Sequence, residues 1–130
     1  MEFDAHQALI HLLWLGASVD NEIADSEREY IRTVSNHEKI PLDIEGLQNH
    51  HKNHQTDLIY QACITEINQH PQDERLKIIV YLFEMLLSDD LFLEEEDHFF
   101  KKVINDLNIS EEQFRHAPSV FWIPWSIHEW

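Results

Sequence analysis

Apolar positions recur along this chain at spacings of three and four, the period of helices that bury one face. The first such stretch, from about Phe3 to Ser18, is apolar nearly all round through Leu9, Ile10, Leu12, Leu13, Trp14 and Leu15, which predicts a helix at the centre of a bundle. A second stretch of that character runs from about Gln72 to Ser88 through Leu76, Ile78, Ile79, Val80, Leu82, Phe83, Leu86 and Leu87. Each is followed by an amphipathic helix. In Asp25 to His37 the inward residues are Tyr30, Ile31 and Val34, and in Glu94 to Leu107 they are Phe99, Phe100, Val103 and Leu107. Stops follow at Lys39-Ile40-Pro41 and at Leu107-Asn108-Ile109-Ser110, where Pro and Ser suit the start of a further helix. Short third helices then carry Leu42, Ile44 and Leu47, and Phe114. One extra helix, about Gln55 to His70, lies between, with Leu58, Ile59, Ala62, Cys63 and Ile67 as its stripe.

The expected fold is therefore all-α: a single-domain bundle of about seven helices built from two pseudo-symmetric helix-turn-helix repeats. The first repeat spans about 3–50, the linking helix about 55–70, the second repeat about 72–116, and an aromatic tail closes the chain over 117–130. At an offset of 69 residues Asp20 falls on Asp89, Ile23 on Phe92, Glu27 on Glu96, Tyr30 on Phe99, Val34 on Val103 and Ile40 on Ile109.

Composition agrees with one compact helical body. The 130 residues include only two Gly and four Pro, no stretch reads as a linker, and a chain of this size buries roughly two-thirds of its unfolded surface. Twenty-five acids against nine Lys and Arg give a formal charge of −16, a field that repels phosphate backbones and draws in cations or basic proteins, so no nucleic-acid partner is expected. The longest apolar runs, Ala8 to Val19 and Ile78 to Leu87, are interrupted by His11 and Glu84 and are too short to span a bilayer. Met1 leads into Glu2 and Asp4 rather than a basic leader, and the single Cys63 has no intramolecular partner; a cytoplasmic setting is expected. Cys63 sits between Ile59 and Ile67 on the same stripe and reads as a core residue rather than a nucleophile.

The chemistry gathers at the two acidic turns, Asp20-Asn21-Glu22-Ile23-Ala24-Asp25-Ser26-Glu27 and Asp89-Asp90-Leu91-Phe92-Leu93-Glu94-Glu95-Glu96. Side chains of a helix lean toward its N-terminus, so Glu27 points back at the turn that carries Asp20, and Glu96 at the turn that carries Asp89. The preceding helix ends at the same turn with carbonyls that lack intrahelical partners. Oxygens from three sources then surround one point, the shell that calcium, magnesium or manganese prefers. Asn21, Glu22 and Asp90 could add ligands. The other reading needs no ion: first-turn acids are favoured by the helix dipole and can bond free N–H groups. An EF-hand is excluded, since from Asp20 the fifth, sixth and twelfth positions are Ala24, Asp25 and Ile31.

These residues carry a resemblance. An apolar helix, then Asp, two further residues, an aliphatic residue and a Glu four positions beyond it, repeated across a seven-helix chain, resembles the TerB-like domain of tellurite-resistance proteins. It is also similar to the domain at the N-termini of membrane-associated J-domain co-chaperones. The likeness covers about residues 5 to 116. Asn21 and Asp90 stand where the family motif has Gly, and Ala24 and Leu93 where it has a capping Ser or Thr. The resemblance implies a non-enzymatic role in the response to tellurite or other chemical stress, with Asp20, Glu27, Asp89 and Glu96 as candidate metal ligands and no catalytic residues.

Two further segments are distinctive. His50 and His54 stand one helical turn apart, a zinc-compatible spacing, but the segment is expected to straddle the end of a short helix and no third strong ligand is evident, so a polar surface segment is the expectation for 50–54. The tail holds Phe121, Trp122, Ile123, Trp125 and Trp130 with Pro118 and Pro124, which forbid a continuous helix; it is expected to cover a groove on its own bundle or to form a homodimer or partner contact. A basic protein docking on the acidic face is the alternative to ion binding.

Overall fold

The structure, a computed structural model, describes residues 1–19, 22–88 and 93–117, and these form seven helices and no strand. They are α1 (Ala5–Ala17), α2 (Asp25–Glu38), α3 (Ile44–Asn53), α4 (Thr56–Ile67), α5 (Gln72–Leu86), α6 (Glu94–Asp106) and α7 (Glu111–Arg115). The all-α bundle read from the sequence is the fold, and the helix ends lie within a few residues of those expected.

The two helices with all-round apolar character are central. Every residue of α1 from Ala8 to Ala17 is buried, and so is every residue of α5 from Ile78 to Leu86. At Gly16 they approach closely: a Cβ there would stand 2.7 Å from Leu82 Cδ1 and 3.2 Å from Met85 Cε. α4 covers α1 with Ile59, Cys63 and Ile67, all fully buried, whereas Leu58, expected on the same stripe, is 56% exposed. α2 inserts Tyr30, Ile31 and Val34, α6 inserts Phe100, Val103 and Ile104, and Phe83, Phe100 and Phe114 form a three-ring cluster with centroids 4.9–5.1 Å apart.

Several local features recur at the offset of 69. Ile31 and Phe100 are both fully buried, as are Val34 and Val103. Lys39 and Asn108 both take a left-handed backbone at φ 60°, and the next amide of each, Ile40 and Ile109, returns to the carbonyl of Ser35 and of Ile104. That 6→1 closure satisfies carbonyls at the helix end. The third helices are unequal, ten residues in α3 against five in α7. No helix among the described residues is long and apolar enough to cross a membrane.

Candidate functional site: two acidic helix starts

Neither α2 nor α6 begins with a residue able to cap it through its side chain, since the N-cap positions are Ala24 and Leu93. The carboxylate three residues on takes up the first amide instead. Glu27 Oε1 accepts from the Ala24 N–H at 3.0 Å, and Glu96 Oε1 accepts from the Leu93 N–H at 3.0 Å. This is half of a capping box, with the reaching-back Glu present and the capping hydroxyl absent. Both carboxylates are almost wholly enclosed, at 2% and 3% exposure. The helix dipole and the orphan amides favour negative charge at these positions.

The structure thus places Glu27 and Glu96 where the sequence expects them, pointing back into the turns before α2 and α6. Their expected companions Asp20 and Asp89, with Asn21 and Asp90, lie outside the described residues, as does the tail from Pro118 to Trp130. Among the described residues no three His, Cys, Asp or Glu side chains are grouped so as to hold a metal ion. The carbonyls that close α1 and α5 are largely engaged: Ser18 Oγ donates to Trp14 O at 2.9 Å and Leu15 O at 3.2 Å, and Ser88 Oγ donates to Met85 O at 2.7 Å. Carboxylate oxygens fixed at the mouth of each turn are the donor type that a hard divalent cation takes.

A second set of buried polar groups ties the helices together. Tyr30 on α2 donates to Glu84 Oε1 on α5 at 2.9 Å, and burial together with that carboxylate pushes the phenol well above its usual range. Tyr81 donates to Glu38, which also meets Lys77 Nζ at 3.1 Å. Burial alone would raise Glu38, and the Tyr81 hydroxyl and Lys77 more than offset it, leaving the carboxyl below its ordinary value. Tyr60 on α4 donates to Asp106 on α6 at 2.7 Å, beneath Lys102 Nζ at 4.4 Å from the ring centroid. Cys63 is fully buried and its thiol is pushed up to about 12 by burial, so it is a core residue with negligible thiolate at neutral pH.

Sequence reasoning missed a histidine cluster. The segment 50–54 straddles the end of a short helix as expected, with Lys52, Asn53 and His54 exposed, but α3 continues through Asn53 and lays His50 and His51 against α1 rather than leaving them in a surface loop. His11 Nδ1 lies 2.8 Å from His51 Nε2 in a hydrogen bond between rings, and His11 also stacks on Phe3 with centroids 4.3 Å apart. His50 stacks on His54 at 4.2 Å, and its own Nε2 is buried without a hydrogen-bond partner. Burial first, then the neighbouring His51 and His50, hold His11 down to about 3; burial and the other imidazoles hold His51 down to about 4. The signal available in the sequence was His11 itself, a polar residue inside an otherwise apolar helix.

An all-helical bundle with two central apolar helices and an acidic start to the helix after each defines the class. The family model for tellurite resistance protein TerB matches residues 6–118, and the chain belongs to that family. Comparison with curated proteins and with solved structures returns no match.

Proposed function

We propose that this chain is a non-enzymatic, cytoplasmic TerB-type stress-response module whose two acidic turns each hold a divalent cation, with Asp20 and Glu27 serving one site and Asp89 and Glu96 the other. The observation that carries this reading is the matched pair Glu27 and Glu96. Each is enclosed, each accepts a hydrogen bond from the N-cap amide of its helix at 3.0 Å, and the sequence just before each helix supplies further carboxylates. Preorganised oxygen donors lose little freedom when they meet an ion. The ion contributes charge neutralisation at the helix starts, and the residues contribute orientation. Binding to the native chain alone raises stability by mass action, about 2.7 kcal/mol at a hundredfold excess over Kd. The test is a thermal melt in millimolar calcium, magnesium or manganese against a chelator baseline. A rise in Tm that vanishes in the Asp20→Asn, Asp89→Asn double variant supports the proposal, and an unchanged Tm in all three ions refutes it.

A second reading is favoured by the exposed Glu94 and Glu95 on the first turn of α6 and by the net charge of −16: the acidic face docks a basic protein, with no ion bound. In that reading the aromatic tail over 117–130 supplies a homodimer or partner contact. It predicts salt-sensitive association, and a change of oligomeric state on truncation after Ala117, in chelator as well as in cation.

A further inference from the structure

We propose that His11, His50 and His51 form a proton-operated latch that holds α3 on α1, closed while the imidazoles are neutral and released when they charge.

The attachment of α3 is unusual among the longer helices. Of its ten residues only Leu47 is buried, with Ile44 half-buried against the core, so ring contacts are a substantial part of what else joins it to α1. Those contacts run in one chain from Phe3 to His11 at 4.3 Å, from His11 to His51 at 4.9 Å and to His50 at 4.7 Å, and from His50 to His54 at 4.2 Å. The bond between His11 Nδ1 and His51 Nε2 requires that one of the two nitrogens accept. With both rings protonated both nitrogens are donors, the bond is lost, and two like charges face each other across 2.8 Å. His50 Nε2, enclosed without a partner, has no acceptor waiting for a proton. His54 behaves differently, since its Nδ1 donates to the carbonyl of His50 at 2.9 Å in either charge state.

The charged and titratable surroundings do not rescue the charged form. Asp4 and Asp43 share a cavity wall with His6, His11 and His50, but Asp4 Oδ1 is bound to the Gln7 amide at 2.8 Å and Asp43 Oδ1 to the Gly46 amide at 3.0 Å, each capping its own helix. Glu2 and, on α4, Glu66 line a second cavity together with Phe3. On α2, Arg28 lies 5.6 Å from the centroid of Trp14, the ring beside His51, and opposes further positive charge. Glu45 and Lys52 of α3 are exposed.

His11 and His51 are depressed to about 3 and about 4, whereas a released imidazole titrates near 6.5. The open state therefore binds more protons than the closed state between those limits. The latch is at full strength above about pH 6.5 and weakens as pH falls toward about 4. Each imidazole that is neutral when closed and charged when open multiplies the opening equilibrium about tenfold per pH unit, so His11 and His51 together give about a hundredfold.

The test is native-state hydrogen exchange of the full chain in chelator at pH 7.5, 6.5 and 5.5, read as protection factors corrected for intrinsic exchange. The expected result is that α3 amides lose protection ten- to hundredfold per unit below pH 6.5 while the amides of α5 from Ile79 to Leu86 hold theirs. In a His11→Phe, His51→Leu variant the slope in α3 should fall at least tenfold; should that variant not fold, His51→Phe alone should halve the logarithmic slope. The proposal is overturned if α3 protection is flat with pH, if α3 and α5 lose protection together, or if the variants keep the native slope.

Discussion

Tyr30 on α2 donates its hydroxyl to Glu84 on α5 across 2.9 Å, and Glu84 has no exposed surface. A carboxylate deep in a bundle is tolerated when its oxygens are bonded, and a charge-assisted bond from a phenol is one of the stronger neutral donors available. The pair joins the helix that carries Glu27 to one of the two central helices, so the position of the first acidic turn depends on it.

Tyr30→Phe should therefore destabilise the chain by about 2 kcal/mol, the range for losing a hydrogen bond to a charged group. Glu84→Gln in the same background should recover part of that loss, because a neutral amide is cheaper to enclose. Urea unfolding of the two single variants and the double measures the coupling; an additive result would mean that the hydroxyl contributes little.

The capping role of Glu27 and Glu96 separates from any ionic one by choice of substitution. Glu27→Ala and Glu96→Ala should each cost about 1 kcal/mol in chelator through loss of the amide bond at the helix start. The Gln variants keep an acceptor oxygen and should lose less in chelator than the Ala variants, yet both should lose the stabilisation that cations add. Melts with and without ion read both effects.

Lys39 ends α2 with φ at 60°, a conformation that opposes a Cβ. Lys39→Gly should raise stability by about 1 kcal/mol, and Lys39→Val should lower it by at least as much. Asn108, at the same φ, belongs to a residue type that tolerates this region, so Asn108→Gly should gain less. Chemical denaturation of the three variants gives the ordering.

Cys63 should be inert to a thiol reagent in the folded chain at pH 8, and should react at the rate of an ordinary thiol once the chain is unfolded. Both its complete burial and its raised pKa point that way. Rapid labelling under native conditions would place it outside the core.

Much of this architecture is legible without coordinates because helical patterning is local. The all-round apolar character of Leu9 to Leu15 and of Ile78 to Leu87 marks the two central helices, and Glu27 and Glu96 are readable as first-turn acids leaning back over their turns. That Ala24 and Leu93 cannot cap is equally plain in the sequence, and the consequence is that the two Glu residues take the first amides. Long-range pairings are a different matter. Nothing in the local pattern joins Tyr30 to Glu84, 54 positions apart, and Glu84 reads only as an interruption of an apolar run. The histidine cluster escapes for the same reason: His11 and His51 lie 40 positions apart, and nothing local shows that the last turn of α3 meets α1. Leu58 shows the converse error, since a three-four spacing extends the stripe of α4 past the point where a neighbour covers it.

The most direct measurement is titration calorimetry of calcium, magnesium and manganese into the chelator-treated chain. The account predicts saturable binding of two ions per chain, with one site lost in Asp20→Asn, the other lost in Asp89→Asn, and none left in the double variant. Absence of binding up to millimolar concentrations of all three ions would contradict it and leave Glu27 and Glu96 as helix caps alone.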